Sequence, residues 1–245
     1  MATKEAFRWH SPRLHQEITI TRWGHYGAPV LIFPTAGGDG EEIERMQLIS
    51  AIAPLLDAGR IKVYSLDSLA GRALAAKWGS EQYRFAFLNA FEEAVAHEVV
   101  PLIKSDCQSD AIEVITAGAS IGAFKATAMT CRYPHLFKAA IGMSGTYDLE
   151  KLFGIGSNSD YYFSAPVAFL PNLNGGPLLD KLRQRFILLT YGQGRWESPD
   201  EAWTLANILG AKGVPNRVVP WGYEWDHDWV TWRAMLPIYL NELVP

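Results

Sequence analysis

Short apolar runs punctuate the chain at residues 17–21, 30–33, 61–66, 112–116, 139–143, 186–191 and 217–220. Most are apolar throughout rather than alternating. That is the pattern of strands buried on both faces, as in a parallel sheet. Between them lie longer stretches whose apolar positions recur every three to four residues. Residues 41–56 place Ile43, Met46, Ile49 and Ile52 near that spacing. Residues 82–103, 121–132, 200–211 and 229–243 read similarly as helices. Alternation of strand and helix predicts a single α/β domain over residues 1–245, with a mostly parallel sheet covered by helices on both faces. The first strand precedes the alternation and is expected at an antiparallel edge.

Residues 148–177 break the pattern. They contain Gly154, Gly156 and Asn158, a Tyr161-Tyr162-Phe163 run, and then Pro166, Pro171, Gly175, Gly176 and Pro177. A long irregular stretch within a compact domain is expected to be a lid or a substrate-facing loop.

Composition narrows the classes of function. The chain has 245 residues, 49% hydrophobic and 20% charged, with a net charge of -4. No basic surplus exists to neutralise phosphates, so nucleic acid is not an expected partner. No run approaches the roughly 20 apolar residues of a membrane span. Met1 to Gln16 lack the apolar core of a secretory signal, which makes the cytoplasm the expected location. Two cysteines, Cys107 and Cys131, form no disulfide framework and no zinc-ligand spacing. No metal or cofactor is expected, and homo-oligomer formation is left open.

The chemistry concentrates at Gly118-Ala119-Ser120-Ile121-Gly122, between an apolar run and a small-residue helix. Strand, sharp turn and helix are the context of a nucleophile elbow. Glycines two residues to either side of the serine let strand and helix approach closely. The helix N-terminus favours negative charge on an acyl oxygen. A serine nucleophile needs a base, and in this architecture the chain order is Ser, acid, His. Of six histidines only His135 and His227 follow Ser120. His135 comes too soon to leave room for a strand carrying the acid. His227 lies between the last strand and the final helix, where the imidazole is expected. Its neighbour Asp228 reads as the cap of that helix.

The acid should follow the strand at 186–191. Ser198-Pro199-Asp200-Glu201 resembles a capping box with proline at the first helical position, which accounts for Asp200 and Glu201 as helix-start charges. Glu197 is left without such a role and is assigned to orient His227. Asp226 and then Asp200 are the alternatives. For the oxyanion hole, one donor is expected from the Ile121 N–H. The second should come from Pro34-Thr35-Ala36-Gly37-Gly38, with Ala36 first and Thr35 and Gly37 close behind. Trp196 and Trp225 flank Glu197 and His227 and are expected in the substrate pocket. Ser68, with Asp67, is added on position alone.

Four segments carry a family resemblance: F-P-T-A-G-G at Phe33 to Gly38, G-A-S-I-G at the elbow, Y-G-Q-G-R-W-E at Tyr191 to Glu197, and D-H-D-W-V-T-W at Asp226 to Trp232. The chain resembles the "Putative esterase" family of α/β-hydrolases, which includes esterase D and the mycolyltransferases. The resemblance implies a serine hydrolase acting on small-molecule carboxylic esters, or an acyltransferase using the same acyl-enzyme. It also implies a glutamate as the triad acid in the loop holding Glu197. The stretch around Tyr161 to Asn174 resembles the family's variable substrate-facing region. A binding protein on a hydrolase scaffold is the remaining alternative of a different class.

Overall fold

A computed structural model describes residues 3–153 and 159–244. Eight strands form one sheet: β1 (Lys4–Ser11), β2 (Gln16–Trp23), β3 (Ala28–Phe33), β4 (Ile61–Leu66), β5 (Val114–Ala119), β6 (Phe137–Met143), β7 (Phe186–Tyr191) and β8 (Asn216–Pro220). Their order is β1-β2-β4-β3-β5-β6-β7-β8. β1 and β2 are antiparallel at one edge, and every pairing from β4 to β8 is parallel.

Helices fill the connections: α1 (Glu42–Arg45), α2 (Leu48–Ala51), α3 (Ala53–Asp57), α4 (Leu69–Ala75), α5 (Glu81–Ala94), α6 (Val100–Asp106), α7 (Ile121–Arg132), α8 (Leu149–Phe153), α9 (Ser159–Ser164), α10 (Pro166–Phe169), α11 (Pro177–Leu182), α12 (Pro199–Ala211) and α13 (Trp229–Leu243). Side-chain alternation along the strands divides the core. Leu31 and Phe33 of β3 join Phe85, Phe91, Phe124 and Met129 on one face. Val30 and Ile32 join Ile52, Leu56, Met235 and Leu236 on the other. The sheet is therefore a two-sided core between α5 and α7 above and α1–α3 and α13 below.

Three departures from the pattern have local causes. The helix expected over residues 41–56 is three short helices. Gln47 adopts a left-handed backbone, φ 62°, that stops the first, and Pro54, in the first turn of the third, has no N–H to continue the ladder of the second. The helix expected over residues 82–103 contains a π turn at Val95–Val99. Pro101 sits just beyond that turn. Its missing N–H and its ring disfavour a continuous α ladder there. β1 escapes the hydrophobic pattern because it is an exposed, charged edge, which discourages further strand pairing.

The stretch at 148–177 holds α8, α9, α10, a 3₁₀ turn at Leu170–Asn172 and the start of α11. Gly154, Gly156 and Asn158 lie outside the described residues. Tyr161 anchors the stretch. It is buried against Phe85 with ring centroids 5.0 Å apart. Its hydroxyl accepts the Leu149 N–H at 2.9 Å.

The candidate active site

Sheet register brings the site together. β3 and β5 are neighbours, and Phe33 pairs with Gly118. The chain leaves β3 towards β4 on one side, while β5 lies on the other. That divergence makes these strand ends a topological switch point, the usual ligand side of an open α/β sheet. Ala119 pairs with Met143, Met143 with Thr190, and Tyr191 with Pro220. The segments leaving β3, β5, β6, β7 and β8 therefore emerge side by side. They carry Ala36, Ser120, Ser144, Glu197 and His227.

Ser120 takes φ 56° and ψ -124°, a conformation costly for a non-glycine residue and characteristic of functional turns. Its N–H donates to the Met143 carbonyl at 3.0 Å, and α7 starts at the next residue. The flanking glycines are steric requirements. A Cβ on Gly118 would lie 2.2 Å from the Gly122 carbonyl oxygen, and one on Gly122 would lie 2.3 Å from the Phe33 oxygen. The Ile121 N–H, first in its helix, has no intrahelical acceptor.

The loop after β3 separates the three oxyanion candidates. The Thr35 N–H and hydroxyl both donate to the Glu42 carboxylate, at 2.9 and 2.7 Å. That N–H is engaged and is not available to a ligand. Ala36 is half-buried and its N–H has no acceptor among the described residues. Gly37 is exposed at the turn.

Glu197 and His227 come from two loops laced together by backbone bonds. Gly194 N–H donates to the Trp225 carbonyl at 2.9 Å, and His227 N–H to the Arg195 carbonyl at 3.0 Å. Gly192 and Gly194 allow that approach, since a Cβ on either would meet the Trp225 carbonyl or the Asp226 carboxylate within 2.3 Å. His227 Nδ1 lies 3.9 Å from Glu197 Oε2, with side-chain exposures of 22% and 2%. This is ion-pair range and longer than a hydrogen bond.

The alternative acids are placed elsewhere. Asp226 is bound to Arg195, accepting from its N–H at 2.7 Å and from Nε and Nη2 at 2.9 and 2.7 Å. The Arg195 guanidinium and N–H hold the Asp226 carboxyl below its ordinary range. Asp200 is exposed on the first turn of α12. The expected capping box is not formed. Ser198 makes no side-chain cap bond. Glu201 instead accepts the Tyr147 and Asp148 N–H groups, at 2.9 and 3.1 Å, and so pins the segment after β6. Asp228 does cap α13, accepting from Val230 and Thr231 N–H at 2.8 and 3.2 Å.

The tryptophans differ in role. Trp196, 85% exposed with φ 67°, projects beside Glu197. Trp225 is half-buried and packs edge-on against Trp221 at 4.8 Å. Ser68 is fully buried. Its hydroxyl sits beneath Gly71, where an added Cβ would lie 2.3 Å from it. It is closed off from a ligand in this arrangement.

Two features were not assigned from the sequence. Ser144 and Trp232 form a buried bridge to Glu197. The Ser144 hydroxyl donates to Glu197 Oε1 at 2.6 Å and accepts the Trp232 indole N–H at 2.9 Å. Ser144 follows β6 directly with φ 47°, and an isolated serine there looks like any turn residue. The second is Lys125 on α7, buried with its Nζ 4.2 Å from the Phe91 ring centroid. Burial pushes its ammonium down to about 7. Burial likewise raises nearby Glu92 to about 7, against the opposing effect of Arg132.

Among the described residues, no group of His, Cys, Asp and Glu could hold a metal ion. No helix among them is long and apolar enough to cross a membrane.

The fold is shared with several solved structures. A ferulic acid esterase superposes with TM-score 0.74 at 15% identity, covering 99% of this chain and 98% of its own. The S-formylglutathione hydrolase of Agrobacterium tumefaciens gives 0.73 at 13%, covering 98% and 94%. FphF, a fluorophosphonate-binding serine hydrolase of Staphylococcus aureus, gives 0.69 at 15%, covering 99% and 98%. No curated protein matches the chain by sequence. The model of the family described as "Putative esterase" matches residues 57–242, a span holding the elbow, the Glu197 loop and the His227 loop. The chain thus belongs to the "Putative esterase" family and has the α/β-hydrolase fold.

Proposed function

We propose that the protein hydrolyses carboxylic esters through an acyl-enzyme on Ser120, with His227 as base and Glu197 as its acid. The observation that carries this reading is the strained Ser120 elbow, in register with the Ala36 loop on one side and the Glu197 and His227 loops on the other. Nδ1 of His227 faces Glu197, which leaves Nε2 as the nitrogen for the Ser120 proton. As Nε2 takes that proton, Oγ bonds to the ester carbonyl carbon. The carbonyl oxygen becomes an oxyanion, placed against the N–H groups of Ile121 and Ala36 at the positive end of α7. Collapse breaks the bond to the alcohol oxygen, which leaves with the proton from Nε2. Water then gives up a proton to Nε2 and attacks the acyl carbon; the second tetrahedral intermediate collapses as the bond to Oγ breaks, Oγ takes the proton from Nε2, and the carboxylic acid is released. Glu197 keeps the proton of neutral His227 on Nδ1 and balances the imidazolium formed in each half-reaction.

Trp196 stands free beside the acid, and we assign it to the rim that contacts the substrate. Hydrolysis of p-nitrophenyl esters of graded acyl length tests the nucleophile, with a thioester and a feruloyl ester alongside. Ser120→Ala should abolish turnover and fluorophosphonate labelling together. Turnover by that variant above background would reject the assignment.

A further inference from the structure

Four side chains from three segments of the chain close a ring that includes the acid and base. Glu197 Oε1 accepts the Ser144 hydroxyl at 2.6 Å. Ser144 Oγ accepts the Trp232 indole N–H at 2.9 Å. The Trp232 ring meets the His227 imidazole edge-on, with centroids 5.2 Å apart and planes at 83°. His227 Nδ1 faces the other Glu197 oxygen at 3.9 Å. Both Ser144 and Trp232 are buried.

We infer that Ser144 is a positioning residue for the Glu197–His227 pair and that Trp232 sets its direction. This rests on the proposed triad. A serine hydroxyl has one proton to donate and can rotate it freely. The Trp232 N–H occupies one side of Oγ, so the Ser144 proton is left to point at Glu197. Oε1 is thereby held, and Oε2 is the oxygen turned to His227. Trp232 also limits the tilt of the imidazole, so one indole constrains both partners.

The backbone supports this reading. Ser144 sits at φ 47°, a left-handed conformation that glycine adopts with less strain. The Ser144 N–H donates to the Thr190 carbonyl at 2.7 Å, which anchors the residue between the ends of β6 and β7. A serine at a position suited to glycine, with its hydroxyl buried on a carboxylate, points to a role for the hydroxyl itself. Other charged groups near the ring are already committed. Arg195 and Asp226 pair with each other. Glu201 holds the Tyr147 and Asp148 N–H groups. The Tyr147 phenol is pushed well above its ordinary range by burial and by the charges of Glu201 and Glu197, and stays neutral.

Ser144→Gly is the test, because it removes the hydroxyl and relieves the backbone. Trp232→Phe is the companion, keeping an aromatic edge against His227 without the N–H. Both are assayed with a p-nitrophenyl ester across pH, beside wild type and Ser120→Ala. Expected for Ser144→Gly is a fall in kcat on the order of ten- to a hundredfold, from a misaligned acid, with KM within about twofold. The acid-side midpoint of kcat/KM should also fall by about half a pH unit, as the imidazolium loses its fixed counter-charge. Trp232→Phe should move both quantities the same way by less. An unmoved or raised midpoint, or kcat within about twofold of wild type, overturns the inference while Ser120→Ala remains inactive. If Ser120→Ala is active, the triad reading fails first and the inference falls with it.

Discussion

The Glu197→Gln substitution tests the triad most sharply, because the hydrogens around it can be counted. Ser144 Oγ already accepts the Trp232 N–H and donates its proton to Oε1. In the variant, the amide oxygen can take the place of Oε1 and keep that bond. The amide NH₂ then occupies the place of Oε2, facing His227 Nδ1. Two donors cannot face each other, so His227 presents a lone pair at Nδ1 and carries its proton on Nε2. Nε2 is then unable to accept the Ser120 proton. The flipped amide would set NH₂ against Ser144, whose Oγ already receives the indole N–H. The hydroxyl proton would be left buried without an acceptor, at a cost of about 1–3 kcal/mol. The surroundings therefore select the inactive tautomer.

A carboxylate-to-amide change in a Ser-His-Asp triad lowers kcat by about 10⁴-fold. A loss of about 10³- to 10⁴-fold in kcat/KM is expected here, or about 4–5.5 kcal/mol of transition-state stabilisation. The two side chains have the same shape, so the thermal midpoint should change little. The assay is p-nitrophenyl acetate hydrolysis at neutral pH, with circular dichroism to verify folding. A folded Glu197→Gln protein retaining more than about a tenth of wild-type kcat/KM would refute the tautomer reasoning and remove Glu197 from the triad.

Asp226→Asn should keep kcat within about tenfold of wild type, since Asp226 is spent on Arg195 and not on His227; a loss matching that of Glu197→Gln would transfer the acid to Asp226. Lys125 ordinarily titrates at 10.5 and is pushed down to about 7 by burial. Between those values the unfolded chain binds the proton and the folded chain does not, so this group makes stability rise with pH across that window and lose that gain as pH falls towards 7. Glu92, raised from 4.5 to about 7 by burial, acts below neutrality, where stability falls as pH rises. Lys125→Met should therefore flatten the rise between about pH 7 and about pH 10 in urea-unfolding midpoints. An unchanged slope would show that Lys125 does not carry it.

Sequence alone determined the strands of the parallel core, the elbow at Ser120 and the helix cap at Asp228, and it nominated Glu197 and His227 as partners of that serine. These are local properties. Apolar runs, glycines two residues from a serine and a capping aspartate each act through near neighbours in the chain, so their spacing reveals them. The helix breaks at Gln47 and near Pro101, and the exposed strand β1, are not marked by hydrophobic periodicity.

Only the tertiary structure decided which polar groups are free. Glu42 claims the Thr35 N–H that loop composition alone left available. Burial under Gly71 closes off the Ser68 hydroxyl. Glu201 fastens the segment after β6 instead of closing a capping box. Ser144 reaches Glu197, 53 residues away, because parallel register carries β6 and β7 to the same end of the sheet. Hydrogen-bond saturation depends on contacts between segments distant in the chain. A one-dimensional pattern can nominate a nucleophile and its base, but only a packed sheet determines what holds the acid in place.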